Sequence, residues 1–441
     1  MKNRFFKYVS QNILAMIGLS LYILADTYFI SKAVGANGIT ALNMALPVYG
    51  VIFALGQMVG VGSAIRYSIV KEQYRNSNKD GSNECDKYFS GALFWGLVIG
   101  VIFAVLGLVF PDKIVEIMGG DETIVAIGVP YFRIFMSFSP FFIFNYTCNA
   151  FVRNDGNPSV SMAATLISSL FNIVFDYILM FPLGMGMPGA ALATALSPVV
   201  GVMICMIHFL SKKNTVKFKW FKTSLTRLFH CCQVGMSAFV GEMSGAVIVM
   251  VFNFIILRLT GNIGVAAYGV VANTALVAVA VFNGVALGSQ PLISESYGKH
   301  NIKDIKLIGK LGVATALGLA VIIVIMIWGF TDTIVGVFNS QGSDRLLSLA
   351  RVGLRIYFIG FLFAGINIFC SSALSAIASV KWAFVLSILK GFVVVNVCAA
   401  ILAPIFGMNG VWVAFPLSEF ILLIISGFAM KKSIGALESE R

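Results

Sequence analysis

Three polar side chains share one face of an apolar stretch near the middle of the chain. Ser168, Asn172 and Asp176 follow one another at intervals of four residues, which aligns them on one side of a helix. Thr194 lies in the next apolar stretch, after the glycine-rich run 184–189. A carboxylate at such a position costs about 2.5–3.5 kcal/mol on membrane-insertion scales, and an ionisable group there indicates function by default. We therefore interpret Asp176 as a functional residue.

Asp26 is a second acid in an apolar stretch and lies about two thirds of the way along the first one. Asp176 lies a similar distance along the fifth, so we expect the two carboxyls at comparable depth. Two carboxyls in a desolvated site can hold a proton. With the neutral oxygens of Asn172 and Thr194, the same site could hold Na⁺, a hard cation that binds oxygen ligands. The sequence leaves both ions open, as well as a structural role in which the acids only bond to neighbouring groups.

Other polar residues inside apolar stretches are candidates for substrate contact or for a site in the second half. Glu242 falls near the middle of the seventh stretch, where it could attract a cationic substrate, take part in coupling or form a structural hydrogen bond. Lys390 is the only lysine deep in an apolar stretch, and pairing with Glu242 or with Glu419, which we interpret as a structural acid, is a hypothesis. Asn145 and Asn149 share a helix face, where they could line a cavity or join helices by hydrogen bonds.

Long apolar stretches recur along the chain and must position these residues. Of 441 residues, 59% are hydrophobic and 11% are charged, whereas soluble domains carry about a quarter charged residues. The mean hydropathy is +0.91. These values predict an all-α integral membrane protein. Twelve stretches are long enough to cross a hydrocarbon core of about 30 Å, at roughly 10–34, 39–65, 88–110, 125–151, 159–182, 188–210, 233–257, 264–294, 308–330, 348–377, 381–404 and 410–430.

Basic residues are concentrated on one side of these predicted spans. Alternating the loops places 23 of the 31 Lys and Arg residues on the side that holds both termini. The positive-inside rule therefore predicts cytoplasmic termini, and we expect the protein in the cytoplasmic (inner) membrane. Because the net charge of +12 follows mostly from topology, no nucleic-acid partner is predicted. The first apolar run is too long for a signal-peptide core, which predicts a retained first span.

The second half of the chain repeats the first. Gly62 matches Gly288 at an offset of 226 residues, and Gly186 matches Gly407 at an offset of 221. The ordered matches predict a duplication with six spans in each repeat, both entering the membrane from the same side. The predicted domains are an N-terminal six-helix lobe over 1–210, a cytoplasmic basic linker over 211–232 and a C-terminal six-helix lobe over 233–441.

The polar residues described first belong to the first repeat alone. In the second repeat, the positions of Asp26, Asn172, Asp176 and Thr194 are taken in the same order by four apolar residues, Phe252, Val393, Val397 and Phe415. Two similar bundles around a central cavity can expose it to either side in turn, as secondary transporters do. The sequence therefore favours a transporter with its ion site in the first lobe.

Signatures of enzymes and metal sites are missing from the sequence. It contains no H-E-x-x-H motif, no Walker lysine loop and no G-x-S-x-G motif. None of the seven cysteines forms a C-x-x-C pair, and the three histidines show no metal-binding spacing. We predict that the protein is not an enzyme and needs no cofactor other than its coupling ion, H⁺ or Na⁺.

Several motifs together resemble the multidrug and toxic compound extrusion (MATE) family, in particular its bacterial multidrug-export members. The resemblance covers essentially the whole chain. The motifs are Ala25 to Ile30 followed by Gly35, Pro47 in the second span, the Gly-Val-Gly of 60–62, Asn172-x-x-x-Asp176, and Gly186-Met187-x-Gly189-Ala190-Ala191 with Ala193-Thr194.

The resemblance implies a V-shaped, two-lobed bundle of twelve helices. Such a protein exports amphipathic, mostly cationic drugs or toxic compounds by antiport of H⁺ or Na⁺ with alternating access. Position by position, the resemblance assigns ion coupling to Asp26, Asn172, Asp176 and Thr194. It also implies a monomer in contact with membrane lipid.

The chain departs from the family pattern in two places. Prolines that are frequent early in the first and seventh spans are replaced here by Ser10-Gln11 and Met236-Ser237. Span ten contains no acid between Ile356 and Ala376, so a second-lobe Na⁺ site of the kind found in some members is not expected.

A flippase for lipid-linked saccharides or a related amphiphile is the alternative function. Families related to MATE build such flippases on similar two-lobed bundles, and their cavity would need basic residues to bind a pyrophosphate. Deep in the membrane this chain offers only Lys390, which favours the exporter.

Overall fold

A computed structural model of the chain describes residues 1–78, 81–338 and 343–439. Within these ranges the chain is helical, with turns and irregular connections and no strand. A 3₁₀ turn over Phe358–Gly360 and a π-helical turn over Leu389–Val393 join neighbouring helices. The α-helices are α1 (Lys2–Ala33), α2 (Ala36–Asn76), α3 (Ser82–Val109), α4 (Pro111–Ile117), α5 (Glu122–Ser137), α6 (Ser139–Asn154), α7 (Pro158–Met180), α8 (Gly186–Phe209), α9 (Leu225–Gly298), α10 (Ile302–Gly329), α11 (Thr331–Phe338), α12 (Asp344–Tyr357), α13 (Phe361–Ala376), α14 (Val380–Ile388), α15 (Val394–Phe406) and α16 (Met408–Ser439).

The long apolar helices of the described ranges give twelve candidate membrane crossings. Helix α9 has two arms, because Gly261 interrupts it with non-helical backbone angles (φ 68°, ψ −158°). Helices α5 and α6 form one crossing that is bent by 46°. With that pair counted once and α9 counted twice, length and composition give the predicted number of spans. The prediction of an all-α membrane protein with twelve spans is confirmed.

The chain divides into two compact units. The first unit is Leu14–Glu242, and the second unit is Met243–Arg441 together with the N-terminal segment Met1–Ile13. In the second unit, Phe5 belongs to the same buried core cluster as Leu292. These units are bounded at other residues than the lobes predicted from the sequence.

Glycines let the same pair of helices pack closely in each unit. A Cβ on Gly288 would lie 2.7 Å from Cα of Val9 in the second unit, and a Cβ on Gly62 would lie 2.9 Å from the backbone nitrogen of Gly235 in the first. Any larger residue would push these helices apart. Both members of each pair are separated from their equivalents by 226 residues, so the duplicated halves use the same contact.

The connecting segment between α8 and α9, residues 210–224, is fixed along α3. The backbone N–H of Lys217 donates to Oδ1 of Asp86 at 2.8 Å, and that of Lys219 donates to Oγ of Ser90 at 2.9 Å. Asp86 and Ser90 are four residues apart on α3, so both acceptors lie on one helix face. Since α9 begins at Leu225, the non-helical connection ends earlier than the predicted linker.

Asp155, in the turn after α6, anchors the start of this connection. Its Oδ1 accepts hydrogen bonds from the Tyr67 hydroxyl at 2.5 Å and from Nζ of Lys71 at 2.7 Å. Its Oδ2 accepts from the Thr215 backbone N–H at 2.9 Å and lies 2.9 Å from Nε2 of His208. Burial disfavours the charged form, but the bonds from His208 and Lys71 outweigh it and hold the pKa of Asp155 well below its usual range.

Candidate functional site

A turn that contains glycines brings α8 back alongside α7. Gly184 and Gly186 have φ angles of 61° and 55°, in the left-handed region that favours glycine. The backbone N–H of Met185 closes the turn by donating to the carbonyl oxygen of Leu179 at 2.9 Å. A Cβ on Gly189 would lie 3.1 Å from the carbonyl carbon of Leu179, so the two helices approach closely. The polar face of α7 is thereby held against α8.

The four predicted ion-coupling residues come together in the first unit, and we call them the carboxyl cluster. Nδ2 of Asn172 on α7 donates to Oγ1 of Thr194 on α8 at 3.3 Å. Asp26 on α1 faces Asp176 on α7, and a proton on one carboxyl could bridge to the other. All four side chains are buried, and Asn172 and Asp176 are 0% exposed.

The carboxyl cluster contains acceptors without donors. In the part of the chain that the structure describes, both side-chain oxygens of Asp176, Oδ1 of Asp26 and Oδ1 of Asn172 have no hydrogen-bond partner. The ion pairs of the same ranges lie elsewhere and include neither carboxyl. A buried carboxylate without a partner is unfavourable. A proton or a small cation among these oxygens would supply the partner that the protein does not.

Three tyrosines border the carboxyl cluster, and sequence patterns did not single them out. Tyr22, one helical turn before Asp26 on α1, interacts electrostatically with both carboxyls. Tyr131 on α5 is another electrostatic neighbour of the pair, and its hydroxyl lies 3.2 Å from that of Tyr49 on α2. The spacing of Tyr22 from Asp26 is a signal that the sequence carries. The places of Tyr49 and Tyr131 depend on how α2 and α5 pack.

The remaining candidates of the first unit lie on α6 and α9. Nδ2 of Asn149 donates to Oδ1 of Asn145 at 2.9 Å, and the Ser161 hydroxyl donates to Oδ1 of Asn149 at 3.1 Å. These bonds join α6 to α7, which is one of the two interpretations given above, and substrate contact stays a prediction. Glu242 is exposed on α9 and is an electrostatic neighbour of Tyr146 on α6.

The second unit holds its polar residues in a different arrangement. Nδ2 of Asn367, which the sequence did not single out, donates to Oε2 of Glu419 at 2.7 Å, and the Ser426 hydroxyl donates to Oδ1 of Asn367 at 2.8 Å. Glu419 therefore has a donor, as expected of a structural acid. Lys390 lies in the π-helical turn Leu389–Val393 and is an electrostatic neighbour of Glu419. Such turns are rare and are frequently found at functional sites.

Aromatic rings occupy the second unit where two members of the carboxyl cluster have their equivalents. Phe415 stacks on Tyr357 with ring centroids 4.1 Å apart and an interplanar angle of 6°. Phe252 stacks on Tyr268 with centroids 5.3 Å apart. Both phenylalanines are buried. The duplicated frame therefore carries an apolar core in one unit where it carries buried oxygens in the other.

A protein-family model matches this chain twice. The model is that of MatE, and it matches residues 12–178 and 238–405. The two matches begin 226 residues apart, in agreement with the duplication predicted from the sequence. Together they cover more than half of the chain.

Similar proteins extend over nearly the whole chain. Multidrug export protein MepA of Staphylococcus aureus (strain bovine RF122 / ET3-1) is 26% identical over 416 residues, which are 92% of this chain and 88% of MepA. MepA of Staphylococcus saprophyticus is 24% identical over 396 residues, 89% of this chain and 85% of that protein. A solved structure of a multidrug resistance MATE family transporter of the MOP superfamily, in an outward-facing conformation, has a TM-score of 0.92, 22% identity and coverage of 99% of this chain and 96% of its own. At this identity the structural likeness shows the fold alone.

Proposed function

The chain belongs to the MatE family, a family of transporters rather than enzymes, and from this premise we propose that it is an ion-coupled multidrug exporter. Its substrates would be amphipathic, mostly cationic small molecules, moved outward in exchange for H⁺ or Na⁺. The names of its MepA relatives support multidrug export. Alternating access, cytoplasmic termini, an inner-membrane location and function as a monomer belong to the same proposal.

The carboxyl cluster is the observation that carries the ion-coupling part of the proposal. A proton would turn the carboxyl of Asp26 or Asp176 into a donor for the other. Na⁺ would instead take oxygen ligands from both acids and from the free Oδ1 of Asn172, which Thr194 orients by accepting the amide N–H. Either ion supplies the partner that these buried oxygens lack.

Ion and substrate would then exclude each other. Without the ion, the negative charge of Asp26 and Asp176 favours a bound organic cation through its electric field. Binding of the ion removes that charge and so weakens the hold on the substrate. Glu242, exposed in the first unit, is our candidate for the first attraction of the cation, and Asn145, Asn149 and Lys390 stay candidates for substrate contact.

Efflux from proteoliposomes tests the function. A fluorescent lipophilic cation would be loaded, and a pH gradient and a Na⁺ gradient would be imposed separately on wild type and Asp176→Asn. We expect one gradient to drive efflux by the wild type, which identifies the ion, and neither gradient to drive the variant. Folded protein that transports under neither gradient would favour the lipid-linked saccharide flippase. Equal gradient-driven efflux by Asp176→Asn would exclude Asp176 as a coupling residue.

A further inference from the structure

A cavity of about 670 Å³ lies in the first unit and includes no residue of the carboxyl cluster. It is bounded by α3, α6, α8, the connecting segment 210–224 and the start of α9. Its inner walls are apolar, with Leu93, Phe144 and Val202 from three different helices. Its volume falls in the range of about 300–1,000 Å³ that is typical of ligand sites. The cavity is therefore large enough for an apolar ligand.

The edge of this cavity is basic. Glu84 pairs with both Lys87 and Arg227, and Asp86 pairs with Lys219, so two acids face three cations. The side chains of Lys217 and Lys222 form no ion pair in the described ranges and are exposed. No acid is among the lining residues that the structure describes, whereas five of them are basic: Lys87, Lys217, Lys219, Lys222 and Arg227.

A further cation lies behind the inner wall. Arg66 on α2 is an electrostatic neighbour of Tyr88 and Cys231, and both of these residues line the cavity. The Nε atom of Arg66 is buried, with no hydrogen-bond partner among the described residues. The electric field inside the cavity thus favours a negatively charged ligand.

The mouth of the cavity combines this charge with exposed apolar side chains. Leu97 on α3 is 43% exposed and Leu210 is 82% exposed, and both line the cavity. Trp220, 85% exposed on the connecting segment, has the position of a membrane-interface anchor. The backbone bonds of Lys217 and Lys219 to α3 fix this segment as a wall. The mouth would therefore contact both acyl chains and charged headgroups.

We propose that this cavity binds an anionic phospholipid of the cytoplasmic leaflet. One acyl chain would enter between α3 and α8, and the phosphate would lie at the rim near Lys217 and Lys222. The charge complementarity of the rim and the apolar interior together favour a lipid over a soluble anion, which would leave the interior unused. The proposal uses the predicted orientation of the chain and does not depend on which ion drives transport.

Neutralising the rim tests the headgroup contact. In Lys217→Gln/Lys222→Gln, we expect the affinity for phosphatidylglycerol to fall about 30-fold, because each basic residue near the surface contributes roughly a fivefold factor. The matched control is Lys212→Gln/Lys213→Gln, which removes two exposed lysines of the same connection that do not line the cavity. Native mass spectrometry of the delipidated full-length protein, titrated with phosphatidylglycerol or phosphatidylcholine, measures the binding.

Filling the interior tests the acyl-chain contact independently. Gly91 lines the cavity, and a Cβ at this position would meet nothing within 4 Å, so Gly91→Leu should fold and occupy the space. Gly318→Leu on α10, which also has open space at its Cβ, is the control. We expect Gly91→Leu to lower phosphatidylglycerol binding while the control does not. Monodisperse protein with unchanged drug efflux would show that each variant is folded.

Three outcomes would overturn the proposal. The first is equal binding of phosphatidylcholine and phosphatidylglycerol that the double lysine variant leaves unchanged, since that describes an uncharged groove. The second is binding of soluble glycerol phosphate at the affinity of the lipid, with no effect of Gly91→Leu, since that describes a soluble-anion site. The third is loss of binding in both control variants as well, since the effect would then not be specific to the cavity.

Discussion

The two units of this protein share a duplicated helical frame but carry opposite chemistry in it. The contacts of Gly62 and Gly288 are equivalent, which shows that close helix packing has been kept in both halves. In contrast, the first unit buries the oxygens of Asp176 without a donor, while the second unit stacks Phe415 on Tyr357. A few side chains therefore decide whether such a bundle offers an ion site or a packed aromatic core. The comparison assigns ion coupling to the first unit.

Buried acids make the same contrast in a second way. Oε2 of Glu419 accepts a hydrogen bond from Asn367 at 2.7 Å, whereas Asp176 accepts none in the described ranges. A satisfied acid has little need of an external ion, whereas an unsatisfied one gains from it. This difference separates a structural carboxyl from a coupling carboxyl without reference to sequence motifs.

The largest expected effect comes from removing charge in each unit separately. In Asp26→Asn, gradient-driven efflux should fall to the background of protein-free liposomes, because the paired carboxyls can no longer exchange the ion. In Glu419→Gln, the amide oxygen can still accept from Asn367, so efflux should stay within about twofold, the effect of a few tenths of a kcal/mol. Initial efflux rates at equal protein density measure both.

Reversal of this pattern would break the comparison. If Glu419→Gln lost efflux and Asp26→Asn kept it, the coupling site would belong to the second unit, with Lys390 as its nearest basic partner. Size-exclusion profiles of both variants serve as the control for folding.

Helix number, repeat length and the main acids could be predicted from the sequence because they depend on local patterns. Apolar length gave the spans, and the four-residue spacing of Asn172 and Asp176 placed both on one helix face. Asn367 was not foreseen, since its partners Glu419 and Ser426 are more than 50 residues away along the chain. The packing of residues 1–13 into the second unit was not foreseen either, because the first span reads as one uninterrupted helix.

A fully bonded acid outside the spans provides the next test. Replacing one member of a buried ion pair typically costs about 3–5 kcal/mol, so Asp155→Asn should lower thermal stability strongly at pH 7. Since the pKa of Asp155 is held below its ordinary value of 3.8, its contribution is complete above that value and is lost as the pH falls below it. The difference in melting temperature from wild type should therefore be equal at pH 7 and pH 5 and shrink only below about pH 4.

Glu116→Gln, at an exposed position on α4, is the control for this experiment and should change stability by less than about 0.5 kcal/mol. A gap between wild type and Asp155→Asn that already closes between pH 7 and pH 5 would contradict the lowered pKa. It would leave His208, which faces the carboxylate, as the group that titrates.

A smaller effect is expected from making the second unit resemble the first. Phe415→Thr introduces the residue type of Thr194 and removes the ring stacked on Tyr357, which should cost about 3 kcal/mol. Phe420→Thr, at a phenylalanine that is 47% exposed, is the matched control and should cost less. Melting curves in detergent compare the two. Equal losses would mean that the aromatic cluster is not a packed core, and the contrast between the units would be weaker.

The smallest expected effect is a gain in stability when the coupling acid is removed. An unsatisfied buried acceptor costs about 1–3 kcal/mol, and Asp176→Asn keeps the shape of the side chain while adding an N–H that can donate to Asp26. We therefore expect Asp176→Asn to melt a few degrees above wild type although it no longer transports, since functional sites often reduce stability. The reverse change, Asn172→Asp, adds a third acid to the same site and should lower the melting temperature. If Asp176→Asn melted below wild type instead, the carboxylate would be bonded in the resting protein, and its role would be structural.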